Sequence, residues 1–157
     1  MSDARRQISE WLADTLDQAI LSVDFSVFVP AQRESQASLI EIGLTVDGAG
    51  FAKFKTSPDG EGISLSLDAL READLGELGA VRLKTEFGAV NGADLVGQSI
   101  QRASMFVFEL TVVGLELVLS NAQTVILLNI GDDLTLIVGS GHPMLHEIGM
   151  ARVEVRQ

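Results

Sequence analysis

His142 and His146 are the only histidines of the chain, and they stand four positions apart. On a helix that spacing places both rings on one face, where they could ligate zinc. The surroundings argue otherwise. Pro143 follows the first histidine and Gly139-Ser140-Gly141 precedes it, which reads as a loop, and the glutamate of an H-E-x-x-H helix is missing. Asp132-Asp133, after Gly131, could pair two carboxylates for metal binding or acid–base work. Between two apolar strands, however, Gly-Asp-Asp is more simply a hairpin turn. His142, His146, Asp132 and Asp133 therefore remain a minor metal candidate, and no cofactor is expected.

Two further oxygen-rich stretches, Asp47-Gly48-Ala49-Gly50 and Asp59-Gly60-Glu61-Gly62, resemble calcium loops in content only. Neither has the twelve-residue ligand spacing or the terminal glutamate of an EF-hand, so both read as turns. The chain has no Gly-x-Ser-x-Gly elbow, no Gly-x-x-x-x-Gly-Lys phosphate loop and no Gly-x-Gly-x-x-Gly after a strand. It also has no cysteine and no tyrosine. Disulfides, thiolate nucleophiles and Cys-ligated metals are excluded. No catalytic residue stands out, and the expectation is a protein that is not an enzyme.

Charge is the stronger signal. The 157 residues hold 22 Asp and Glu against 11 Lys and Arg, a net charge of −11. Such a field opposes any sequence-independent grip on nucleic-acid phosphates. The acids concentrate between Asp59 and Glu77, where Asp59, Glu61, Asp68, Glu72, Asp74 and Glu77 face Arg71 alone. A solvated face explains this run. The sharper reading is an electrostatic match to a basic protein partner.

The elements that would position these residues follow from periodicity. Residues 3–20 read as an amphipathic helix, with Ile8, Trp11, Leu12, Leu16, Ala19 and Ile20 on one face. Period-two alternation then begins. Strands are expected at 21–29, 40–46, 51–56, 63–67 and 81–87, with a loop at 31–37 and a brief helix within 67–75. A connection at 88–97 leads to strands near 99–109, 112–119, 124–129, 134–138 and 148–155. The short gaps require antiparallel hairpins.

With 46% of residues apolar, disorder is excluded. The runs at 124–129 and 134–138 imply burial on both faces, or an apolar interface between copies. No stretch is a membrane span, no signal peptide is legible in residues 2–17, and a cytoplasmic setting is the default.

An internal repeat is also legible. Gly43-Leu44-Thr45-Val46 matches Gly114-Leu115-Glu116-Leu117, and Ile63-Ser64-Leu65 matches Leu134-Thr135-Leu136. Residues 77–84 (Glu-Leu-Gly-Ala-Val-Arg-Leu-Lys) match 147–154 (Glu-Ile-Gly-Met-Ala-Arg-Val-Glu). The repeat makes Arg82 and Arg152 counterparts, each paired with a neighbouring carboxylate. The fold class is therefore α+β: one domain over 1–157, with an N-terminal helix on antiparallel β-meanders. These form a sandwich or a curved, barrel-like sheet, in halves at 38–87 and 99–157.

Four Gly-anchored pieces carry a resemblance. They are Asp74-Leu75-Gly76-Glu77-Leu78-Gly79, Leu95-Val96-Gly97-Gln98, Val113-Gly114-Leu115-Glu116-Leu117 and Asn129-Ile130-Gly131-Asp132-Asp133-Leu134. Together they resemble small uncharacterised bacterial proteins, some of which are similar to immunity proteins of polymorphic toxin systems. The resemblance implies a bacterial cytoplasmic binder and brings no catalytic motif. The leading expectation is thus a non-enzymatic acidic protein-binding module, an immunity protein in its sharpest form. The alternatives are a structural homo-oligomer and a metal- or small-ligand-binding domain.

Overall fold

The structure is a computed structural model, and it describes residues 3–33, 36–131, 133–139 and 150–157. The order is α1 (Asp3–Thr15), β1 (Ile20–Pro30), β2 (Ser38–Val46), β3 (Gly50–Thr56), β4 (Ile63–Ser66) and β5 (Ala73–Asp74). Then come β6 (Gly79–Lys84), β7 (Glu86–Phe87), β8 (Val90–Asn91) and β9 (Ile100–Phe108). The chain ends with β10 (Thr111–Leu119), β11 (Thr124–Ile130), β12 (Asp133–Gly139) and β13 (Ala151–Val155). The first sheet has the order β4-β3-β2-β1-β6-β5, the second β12-β11-β10-β9-β13, and β7-β8 is a small hairpin. Every pairing between these strands is antiparallel. The α+β class is thereby observed, and neither sheet closes on itself into a barrel. Among the described residues no helix is long and apolar enough to cross a membrane.

Alternation sets the faces. In the first sheet Phe25, Val27, Ile42, Leu44, Ala52 and Phe54 are buried in the same core cluster as Ala103, Met105, Leu115, Leu117, Val125 and Leu127 of the second. The inner faces of both sheets thus share one core. Helix α1 adds Ile8, Trp11 and Leu12 to it. Trp11 meets Phe54 edge-on, with ring centroids 5.6 Å apart, a favoured aromatic geometry.

The helix ends at Thr15, earlier than its apolar period indicates. Asp17 takes a positive φ of 64° and breaks the helical path. The next residues bond across the molecule instead: Asp17 N–H donates to the Ile100 carbonyl at 2.7 Å, and Ile20 N–H to that of Gln98 at 2.9 Å. Gly97 N–H returns a bond to the Ile20 carbonyl at 2.8 Å. This seam ties the entry of β1 to the entry of β9, so Ala19 and Ile20 serve a strand and not a helix.

The strand orders match position for position: β4, β3, β2, β1 and β6 in the first sheet, β12, β11, β10, β9 and β13 in the second. The first meander therefore includes β1 and starts near residue 20, not 38. The expected strand 81–87 divides into β6 and β7; of the expected strand 148–155, residues 148 and 149 lie outside the described residues, and β13 spans Ala151–Val155. The matched segments occupy corresponding strands, yet the residue equivalence of Arg82 and Arg152 fails. Arg82 is opposite Val27, whose side chain is in the shared core, so it stands on the inner face. Arg152 is opposite Phe106, which belongs to a separate cluster with Ile126 and Leu128 on the outer face. A one-residue slip along a strand inverts the face it presents.

The apolar run of β11 is buried on both sides. Val125 and Leu127 enter the shared core, while Ile126 and Leu128 enter the outer cluster. That burial accounts for the run within a single chain.

Candidate functional site: an acidic strap

Residues 67–78 join β4 to β6, which flank β3, β2 and β1 in the first sheet, so this segment must cross the sheet. It does so on the outer face. Leu70, the one half-buried residue of the strap, places Cδ1 2.9 Å from where a Cβ on Gly43 would lie. Lys53 Nζ donates to the Ala69 carbonyl at 3.4 Å and pairs with Glu41 at 3.1 Å, both side chains largely shielded. The strap is extended and turn-like, with two residues in β5 and a 3-10 turn at Gly76–Leu78. The brief helix expected within 67–75 does not form. Its polar groups bond locally instead: Ser66 Oγ accepts from Asp68 N–H at 3.1 Å, and Asp74 Oδ1 from Gly76 N–H at 2.9 Å. Glu72 Oε2 accepts from Leu83 N–H at 3.2 Å and fastens the strap to β6.

The fold divides the six acids concentrated between Asp59 and Glu77. Asp68, Glu72, Asp74 and Glu77 all stand exposed along the strap. Asp59 and Glu61 are exposed in the β3–β4 turn, at the other end of β4, about 13 Å away along a four-residue strand. Asp59 serves its own turn. Its Oδ1 accepts from Ser57 Oγ at 2.6 Å and from Glu61 N–H at 3.0 Å. The serine hydroxyl first, and then the backbone N–H, hold the Asp59 carboxyl below the usual aspartate range. This turn is clamped to the second sheet by Asn129, whose Nδ2 donates to the carbonyls of Gly60 at 2.9 Å and Gly62 at 2.8 Å.

Alternation and charge alone did not reveal the apolar half of the strap surface. Leu67 is 68% exposed and Leu78 73%, with Leu75 and Leu83 also exposed beside them. Leucines interspersed with carboxylates give the strap a mixed apolar and acidic surface.

Of the metal candidates, His142, His146 and Asp132 lie outside the described residues. Asp133 is the exposed first residue of β12. Among the described residues no three His, Cys, Asp or Glu side chains gather as a metal site would require. Compared with known proteins, the chain matches no family model, no curated protein and no solved structure.

Proposed function

We propose that the protein is a non-enzymatic binding module that docks a basic protein through the strap, as an immunity-type antidote in a bacterial cytoplasm would. The observation that carries this reading is the exposure of Leu67, Leu75 and Leu78 among Asp68, Glu72, Asp74 and Glu77. Leu21, Phe108 and Leu110 are exposed elsewhere, but the strap leucines are the ones set among carboxylates. Four carboxylates beside them select a cationic cover and accelerate its approach. On this reading the two sheets form a sandwich of two duplicated halves, a rigid frame that holds the strap outward. Burial of β11 on both faces removes one reason for the homo-oligomer reading, while the half-buried edge strand β12 stays open to it.

The test uses a basic protein recovered at low salt on the immobilised chain. Asp68→Lys with Glu77→Lys reverses two carboxylates for which the structure shows no side-chain hydrogen bond or ion pair among the described residues. Leu78→Ser removes the most exposed leucine of the strap. The expected result is at least tenfold weaker binding for each, with a flatter salt dependence for the charge variant only. Unchanged affinity in both variants overturns the proposal.

A further inference from the structure

The two return strands, β6 and β13, occupy matching places but differ on their inner faces. On β13 that face carries Val153 and Val155, both packed into the shared core. On β6 the corresponding row is Ala80, Arg82 and Lys84, opposite Val29, Val27 and Phe25 of β1. Arg82 and Lys84 are exposed there, so the core stops at β1 and leaves a groove beyond it. The groove holds about 1040 Å³, the upper size of small-molecule sites. Val27, Val29 and Ala80 lie along its floor, and Phe87 of the β7–β8 hairpin forms one wall.

The groove lining carries two cations and two carboxylates. Acids outnumber bases two to one in the chain, and Arg6, Lys53, Arg152 and Arg156 have carboxylate partners, whereas Arg33, Lys55, Arg71 and Arg102 show no ion pair among the described residues. Arg82 and Lys84 have none among the described residues, although they are two positions apart on one strand face and repel each other. Asp74 and Glu86 also line the groove, but neither forms an ion pair with them, and Asp74 Oδ1 is engaged by Gly76 N–H. The backbone at the rim is likewise occupied: Leu83 N–H bonds Glu72, and the Thr85 carbonyl accepts from Gly92 N–H at 2.8 Å. The groove therefore offers no ladder to an added peptide strand. It offers an apolar floor and two cations.

We infer that this groove binds a small amphiphilic carboxylate, its apolar body on Val29, Ala80 and Phe87 and its head between Arg82 and Lys84. The inference does not rest on partner docking on the strap, although Asp74 borders both surfaces. The probe is decanoate, followed by amide chemical-shift perturbation in the full chain, with decanol and decyltrimethylammonium as neutral and cationic counterparts. Saturable shifts confined to residues 27–32 and 79–88, at least tenfold tighter for decanoate than for either counterpart, are expected. Arg82→Gln with Lys84→Gln, both exposed and free of structural bonds, should weaken decanoate at least tenfold while leaving the far-UV spectrum unchanged. Equal binding of decanol, undiminished binding by the double variant, or no saturable shift overturns the inference. The last outcome would leave the two cations as guards of a strand that β5 covers only in part.

Discussion

Arg152 donates to Glu116 Oε2 at 2.9 Å while its guanidinium lies 5.6 Å from the ring centroid of Phe106. Glu116 is only 8% exposed, whereas Arg152 is 52% exposed. The carboxylate is therefore the vulnerable member. Arg152→Met should cost about 2 kcal/mol, less than the ~3–5 kcal/mol of a fully buried pair because the arginine is half solvated. Adding Glu116→Met to that variant should recover most of the loss. Urea denaturation of the two variants measures both values, and an additive double variant would contradict the account.

Gly43 and Gly114 sit on the outer faces of corresponding strands, each beneath a neighbour. A Cβ at Gly114 would lie 2.5 Å from Leu128 Cδ2 and 2.8 Å from the Leu127 carbonyl oxygen. At Gly43 it would meet Phe51 Cε2 at 2.8 Å and Leu70 Cδ1 at 2.9 Å, both side-chain ends. Backbone yields less readily than a side-chain tip. Gly114→Ala should cost about 2–3 kcal/mol and Gly43→Ala about 1 kcal/mol. Thermal melts of the two variants should keep that order.

Asn129 spans the sheets by donating twice to the Gly60 and Gly62 carbonyls. The amide nitrogen has two hydrogens, one for each acceptor. Asn129→Ala should lose about 1–2 kcal/mol, and Asn129→Asp more, since it sets a carboxylate against two carbonyl oxygens. Hydrogen exchange in the β3–β4 turn should accelerate in both.

The Asp59 carboxyl should titrate below the ordinary aspartate value of 3.8. Its folded value is depressed, so its stabilising contribution is complete above that value and fades as pH falls through the folded midpoint. Carbon-detected NMR titration gives the midpoint. Ser57→Ala, which removes the leading cause, should move it upward.

Ala122, in the turn between β10 and β11, holds a positive φ of 70°. Ala122→Gly should relieve the left-handed strain and raise stability by about 0.5–1 kcal/mol. A lowered melting temperature would show that the turn tolerates alanine at no cost.

Much of the fold was legible in the sequence because alternation reports which residues share a face. The helix face of Ile8, Trp11 and Leu12 and the hairpins of the second half follow directly from it. The helix end was not legible, because Ala19 and Ile20 fit both periods and only the seam to residues 97–100 decides between them. Alternation also cannot say which face of a strand meets the core. In β6, Val81 and Leu83 form the apolar set, yet Arg82 and Lys84 stand on the core side, because the second sheet does not extend over them. The repeat misleads here, since aligning Arg82 with Arg152 would turn Leu83 inward with Val153. The brief helix expected within 67–75 does not form because Gly43 and Lys53, which anchor the strap, are distant in sequence and invisible to local propensity.

The seam between residues 16–20 and 97–100 carries a kinetic consequence. Ile20 and Gln98, which bond there, are 78 positions apart, so neither can hold the other until almost half the chain has been ordered. The hairpins β2–β3 and β10–β11 close short loops and can form early. The return strands and the seam must wait for long loops to close, against a loop entropy that grows with length. Refolding on the millisecond-to-second scale of non-local β topologies is the expected behaviour. The strap surface, laid down between β4 and β6, would then be among the last parts of the molecule to take its shape.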